Sequence, residues 1–577
     1  MSFEDVLREL SAERTWAMIE QITSEIPSRL AGSENSRRMA EYSRDRFAEA
    51  GLEARLHEFR GLVSFPEAGG LWLLEPESRE IEAHTLGHSA STDGVEGELV
   101  YVGSGAESDY AGKDVRGKIT LSELSYSPAR HEKALIAWQK GSIAQVMMNW
   151  GDETNEAVPF GSMKSAWGNP TPETLQTEMP DIPCIGIART EGLKLKALCE
   201  QGPVRVRVSA KADNRWADLA MTSAEFDAGP GQQFLLLGGH QDSWFGPQAT
   251  DNAAGTACII ELARAFAAHR GELRRGMLCG LWMGHETGTM ISSTRFADVE
   301  WDRLRERCVG YLQIDQPAMA GTTDWHLSST DDAREFIETT TREVAPGMPT
   351  HWGRSRRTGD SSFFGVGLTN LAGITSFTDE EIRRTALATL GWWHHSIHNT
   401  MDKLDKERLD LHLRLYARWV WELLTAPVLP YRYAPMTRAL SSSLERLSRI
   451  EVPDIDMRRP VELARQLHQR AVDLDARAAT ARAMGEAVDA GEAGQINAAM
   501  LRLARLLVPL ISTVNGTYAQ DRYGHSWQSG EIPALTPLAL LAELDPASER
   551  YQTHWVAAIR ARNRVADTLE LAIEALG

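Results

Sequence analysis

Cysteine is scarce in this chain. Five are scattered through 577 residues (Cys184, Cys199, Cys258, Cys279 and Cys308), none in a C-x-x-C pair, which argues against a disulfide framework or a thiolate zinc site. Long apolar runs are missing too, and none approaches the roughly 20 residues of a membrane span. The first residues, MSFEDVLRELSAERTW, carry acids where a secretory leader needs basic and then apolar side chains. Basic residues are in deficit: 61 Lys and Arg stand against 80 Asp and Glu, a net charge of −19. Such a chain lacks the basic stripe that nucleic acid demands and suits an anionic membrane surface badly. No internal repeat or low-complexity tract stands out. What remains is the composition of a soluble globular protein, 42% hydrophobic and 24% charged. A cytoplasmic protein is expected.

Residues 1–60 read as helical then extended. In Glu34 to Ala50 the apolar Met39, Tyr42, Phe47 and Ala48 recur at helical spacing up to Gly51. Residues 61–213 change character: short β-rich runs such as GELVYVGSG and GKITLSEL alternate with Gly and Pro turns, with one helical stretch near Lys133 to Lys140. This predicts a separate, mostly β module inserted into the first. From 214 to 425 the apolar strands QFLLLGGH, MLCGLWMG and VGYLQID alternate with helices such as AAGTACIIELARAFAAH. That is the pattern of an α/β fold with a mixed, mostly parallel sheet covered on both faces. Residues 426–577 are rich in Ala, Leu and Arg and predict a helical packing or dimerisation domain.

Chemistry collects at the strand ends. His240-Gln241-Asp242, Asp251, His285-Glu286 and Asp315 follow consecutive apolar segments, and His394-His395-Ser396 comes later. A lone Asp at a strand end is ordinarily a cap or turn residue, and a lone His ordinarily has a structural partner. Several carboxylates converging with imidazoles would instead cost a great deal unless cations neutralised them. Nitrogen and oxygen ligands without thiolate suit zinc, and admit manganese, cobalt or nickel.

These motifs resemble the co-catalytic zinc metallopeptidases that include bacterial aminopeptidases, glutamate carboxypeptidase and the transferrin receptor. GGHQDSWFGPQATDNAAGTACIIELARAF is similar to their first metal motif, LWMGHETGTMISS to W-x-G-E-E-x-G-x-x-G-S, LQID to the third and WWHHSIHNTMDKLD to the closing His motif. SRLAGSENSRRMAEYSRDRF is similar to their N-terminal helix, and YVGSG, Asp109, DVRGKITL and IPCIGIARTEGLKLKAL to the inserted protease-associated domain. The resemblance implies two divalent metal ions, a homodimer through the C-terminal helices, and a protease-associated lid. It places His240 and Asp315 on one metal, Glu286 and His395 on the other, and Asp251 between them, followed by a cis peptide to Asn252. Asp242 would orient His240, and His394 would stabilise the oxyanion.

One position departs from the pattern. Where the family has paired glutamates this chain reads Gly284-His285-Glu286, so His285 stands at the general base. It can act as the base, rotate in as a ligand, or do neither. The leading expectation is a metal-dependent hydrolase of an amide-type bond in a small molecule or short peptide. Beside it stand a metal-dependent non-peptidase enzyme (a lyase, transferase or non-peptide amidohydrolase) and an inactive receptor-like binding protein. The intact ligand set speaks against the last. For substrate contacts, Trp244 is a candidate pocket wall against the alternative of plain burial. Arg354, Arg356 and Arg357 are candidates for a substrate carboxylate against a solvated basic loop. Asp360 resembles the Asp that ties that loop down, and His398 is an optional further ligand. The 17 tryptophans hint weakly at a flat substrate.

Overall fold

The computed structural model describes residues 2–125, 127–229, 232–524 and 531–577. Thirteen strands form one sheet: β1 (Glu53–Glu75), β2 (Arg79–Thr85), β3 (Thr92–Tyr101), β4 (Ile119–Glu123), β5 (Ala144–Met148), β6 (Cys184–Ile187), β7 (Arg205–Phe226), β8 (Phe234–His240), β9 (Gly276–Trp282), β10 (Cys308–Gln313), β11 (Asp324–Ser329), β12 (Thr350–Arg354) and β13 (Asn370–Ser376). Their order is β1-β2-β6-β5-β4-β3-β7-β9-β8-β10-β13-β11-β12, with β1 also pairing β7.

The half built from β7 to β13 is the mixed, mostly parallel sheet expected. β9, β8, β10 and β13 run parallel in that order, with β7 antiparallel at one side and β11 antiparallel at the other. Every residue of β8, β9 and β10 is buried, because helices cover both faces. Alternate side chains feed two cores. Leu235, Leu237, Cys279 and Leu281 pack toward the helices Ala254–Ala267 and Lys406–Thr425, while Leu236, Leu278, Trp282 and Tyr311 pack on the opposite face with Phe363. This double covering is what forces the polar groups of each strand to its carboxyl end.

β1 and β7 pair from Glu53↔Glu225 to Glu75↔Arg205, a ribbon that leaves the catalytic half and enters the inserted module. There β3, β4, β5 and β6 run parallel, which requires crossover connections. The module accordingly holds the helices Arg130–Gln139 and Arg189–Gln201 beside the single turn Thr174–Thr177, and is less purely β than its turn-rich sequence suggests.

Beyond Thr425 the chain is helical, with long helices at Arg458–Met484, Ala490–Ser512 and Glu549–Glu574. Among the described residues no helix is long and apolar enough to cross a membrane. Arg505 ties this domain to the catalytic one. Its buried guanidinium donates to the carbonyls of Arg305 (3.0 Å), Gly367 (2.7 Å), Leu304 (3.1 Å) and Cys308 (2.5 Å). Each carbonyl left bare would cost about 1–3 kcal/mol. Arg505→Met should therefore lower stability by about 3 kcal/mol or more in denaturant unfolding. A loss below about 1 kcal/mol would show that water replaces the lost donors.

Candidate metal centre

His240 ends β8, Glu286 follows β9 and Asp315 follows β10, so three parallel strands deliver three donors to one crevice. Asp251 enters on the irregular turn before helix Ala254–Ala267, and its peptide bond to Asn252 is cis. His395 arrives on the loop after β13, with φ 53°. The donor atoms form two sets that share one carboxylate. His240 Nε2 lies 3.0 Å from Asp251 Oδ1 and 3.4 Å from Asp315 Oδ1. His395 Nε2 lies 3.2 Å from Asp251 Oδ2 and 3.1 Å from Glu286 Oε1.

His240 Nε2, Asp251 Oδ2, Glu286 Oε1 and Asp315 Oδ1 are buried without any hydrogen-bond partner. Buried polar atoms are rarely left so. Two donors on one tetrahedral zinc at about 2.0–2.2 Å stand roughly 3.3–3.6 Å apart, close to the separations above. The residues present therefore fit a divalent ion in each set. Tautomers agree on the first set: His240 Nδ1 donates to the Asp242 carbonyl at 3.0 Å, which leaves Nε2 as the free donor atom. Burial alone pushes Asp251 up, but the imidazoles of His240, His394 and His395 around it act the other way and hold it well below the usual carboxylate range.

Asp242 has a different task from the one its sequence suggests. Its carboxylate oxygen is 3.7 Å from His240 Nδ1, too far for a hydrogen bond. It accepts instead from the backbone N–H groups of His285 (3.2 Å) and Glu286 (3.1 Å), fixing the turn that carries both. Trp244 is likewise no pocket wall. It is fully buried, and its Nε1 donates to Glu286 Oε2 at 2.7 Å, aiming the carboxylate's other oxygen at the metal set.

Three supports lie outside the metal motifs. Arg29 is completely buried and donates to the carbonyls of Gln241 (3.2 Å), Pro247 (3.0 Å) and Gln248 (3.3 Å), clamping the loop between His240 and Asp251. Burial lowers its pKa to about 10, held there by Asp242, Asp251 and Glu286, so it stays a cation at neutral pH. From the inserted module, Phe160 N–H donates to the His395 carbonyl at 2.7 Å, and Arg130 Nη2 lies 3.2 Å from His395 Nδ1.

His285 stacks on His240 with centroids 3.9 Å apart, and its Nδ1 is 2.9 Å from Asp360 Oδ2. Burial and His240 push its pKa down, but Asp360 and Glu286 outweigh them and hold it at about 9. Cations beside it would act the other way. His394 stacks on His395, with Nδ1 3.2 Å from Asp251 Oδ2. Of the three candidate arginines, Arg354 pairs with Asp331 at 2.6 Å, and buried Arg357 lies 5.0 Å over the Trp167 ring while bonding Gln520. Neither is available to a substrate. Arg356 is exposed and lines a cavity of about 350 Å³ with Asp315, Ser355 and Ile374. A second cavity, about 300 Å³, is lined by Arg130, Asn149, Trp150, His394, His395 and Tyr523. Thr358 and Leu390 border both. His398 is exposed against Trp392, away from the donors. Of Trp150, Trp167, Trp244 and Trp392, Trp150 alone lines one of these two cavities.

Residues 222–420 match the family model of Peptidase family M28, and residues 95–195 that of the PA domain. A probable glutamate carboxypeptidase of Zea mays is 24% identical over 503 residues, 73% of this chain and 68% of that protein. Leucine aminopeptidase 2 of Arthroderma otae is 28% identical over 41% of this chain and 44% of its own length, so the chain spans less than half of that relative. An aminopeptidase from Aneurinibacillus superposes with a TM-score of 0.56 at 21% identity, over 74% of this chain and 96% of the other, which establishes the fold. The protein thus has the hydrolase scaffold of the M28 peptidases with a PA domain inserted, and the resemblance read from its motifs is shown on both modules.

If Asp251 serves both donor sets, Asp251→Ala should abolish zinc uptake by elemental analysis and titration calorimetry; retention of either ion would overturn that assignment. Arg29→Met, which touches no donor, should weaken zinc binding about tenfold or more. Unchanged affinity would reduce Arg29 to a packing residue.

Proposed function

We propose that this protein is a metal-dependent hydrolase of an amide-type bond, with His285 at the general-base position. The observation that carries the reading is the pair of donor sets sharing Asp251, with its four partnerless buried atoms. When bound, a metal pair there would acidify a water and polarise the scissile carbonyl. His285 would take the proton of the attacking water on Nε2 and return it to the leaving amine. The oxygen bonds to the carbonyl carbon, the C–N bond breaks with its electron pair going to nitrogen, and a carboxylate and an amine leave. His394, lining the second cavity, would donate to the oxyanion.

A substrate spanning the two cavities would lie with one side against Asp315 and the other against His394. Arg130 and the exposed Arg356 give each side one cation suited to a carboxylate. A short peptide or small acyl-amide carrying a carboxylate fits this arrangement. The assembly belongs to the same proposal: Val472, Val556 and Leu571 on the C-terminal helices are exposed apolar side chains that a homodimer would cover.

A panel of aminoacyl- and acyl-4-nitroanilides tests the reaction. Turnover should vanish with a chelator and return with zinc. His285→Ala should lower kcat about a hundredfold or more with zinc content unchanged. Loss of zinc in that variant would make His285 a ligand, and full turnover would remove it from the chemistry. Light scattering should give twice the chain mass of 64.0 kDa, and a monomer at micromolar concentration would refute the dimer.

A further inference from the structure

His285 has a built support that the motif alone does not explain. Its Nδ1 meets Asp360 Oδ2 at 2.9 Å. Asp360 is 1% exposed, and its second oxygen accepts from Ser293 Oγ at 2.8 Å. Ser293 Oγ is in turn 2.9 Å from Ser362 Oγ, which accepts from Trp167 Nε1 at 2.8 Å. Donor and acceptor roles are consistent along the whole row. Ser293 gives its one hydroxyl proton to Asp360, so in its contact with Ser362 it accepts, and Ser362 in turn accepts from the indole, which can only donate. The carboxylate ends the row as acceptor of the His285 Nδ1–H. Each bond polarises the next in the same sense.

An ionised carboxylate has no proton to give, so this contact admits one neutral tautomer of His285: Nδ1 protonated, Nε2 bare. Among the described residues no other hydrogen bond to the His285 ring selects between the two tautomers. A ring nitrogen of His285 lies within 4.8 Å of donor atoms of both His240 and Glu286, so the imidazole sits beside the donor sets while its Nδ1 is held by Asp360. The stacking on His240 fixes the ring plane as well.

We infer that Asp360 is the positioning residue of the general base: it locks His285 in the tautomer whose Nε2 can receive a proton, and Ser293, Ser362 and Trp167 of the inserted module lock Asp360. This rests on the proposed hydrolase reading for the role of His285. It makes a separate structural claim about the tautomer, and that claim is measurable without turnover.

Two measurements test it on the full-length, zinc-loaded protein. In the first, ring nitrogens are labelled with ¹⁵N and the His285 signals identified by their loss in His285→Ala. His285 should show a protonated Nδ1 and a bare Nε2, and Asp360→Ala should scramble or reverse the pair. An unchanged tautomer in Asp360→Ala, or a protonated Nε2 in the parent protein, would overturn the inference. In the second, Asp360→Asn, which keeps the side chain's shape, and Asp360→Ala should each lower kcat on the nitroanilides about a hundredfold, with KM and zinc content within about twofold. In the His285→Ala background the same changes should cost less than about twofold, because Asp360 acts through His285 alone. Losses that multiply in the double variants would assign Asp360 a merely structural role and overturn the inference. Should His285→Ala retain full turnover, the base assignment falls. Should His285→Ala be inactive while both Asp360 variants keep parental kcat, the positioning role falls and the hydrolase reading stands.

Discussion

Asp251 is the constraint on which the rest depends. A carboxylate 2% exposed cannot stay ionised without partners on every side, and this one meets three imidazoles, those of His240, His394 and His395. Asp315 and Glu286 add two more acids within reach of the same nitrogens. Imidazole nitrogens left bare to bind a cation cannot also donate protons to these oxygens, so in that state the charge of the three acids is not balanced by protein groups alone. Arg29 supplies one buried cation from behind. Divalent metal bound at the partnerless atoms would supply the remainder of the balance.

Holding such a cluster together takes all parts of the chain. The α/β sheet brings three donors by strand ends, but His395 sits on a loop at positive φ, where a non-glycine residue needs outside support. That support comes from the inserted module through Phe160 and Arg130. The C-terminal segment completes the enclosure. Gln520 bonds Arg357, and Tyr523 stacks on His131 with centroids 3.9 Å apart and lines the cavity beside His394. Movement of the inserted module would therefore alter both access to the centre and the aim of one donor, coupling closure to the chemistry.

The donors were legible because they occupy strand ends and local motifs, where spacing in sequence becomes proximity in space by the geometry of a parallel sheet. The main helices and strands were legible for the same reason, since their periodicity is local. Arg29, Arg130 and Arg505 were not, since each acts on carbonyls or rings 200 or more residues away, or across modules, and carbonyls leave no mark in a sequence. The arginine-rich loop misled for a related reason. Three guanidiniums in RSRR read alike, yet burial turns Arg357 onto an indole and an acid takes Arg354, leaving Arg356 at the cavity. Trp244 shows the reverse: its size announced packing, while its indole N–H carries the functional contact.

The exchange of an acid for His285 looks at first like a loss of one negative charge from the centre. The structure shows where the charge went. Asp360, buried one hydrogen bond behind the imidazole, places a carboxylate in the same direction but farther from the donors. An anion withdrawn in this way interacts more weakly with cations at the centre, because Coulomb energy falls with distance even before screening. Asp360 and Glu286 raise the basicity of the imidazole in front, and divalent cations bound at the centre would oppose its protonation. On the proposed reading, base strength would be set by two groups, His285 and the Asp360 behind it, rather than by one carboxylate beside the ions. The donors His240, Asp251, Glu286, Asp315 and His395 stand together with that pair in place, so an imidazole at position 285 is compatible with the geometry of the centre.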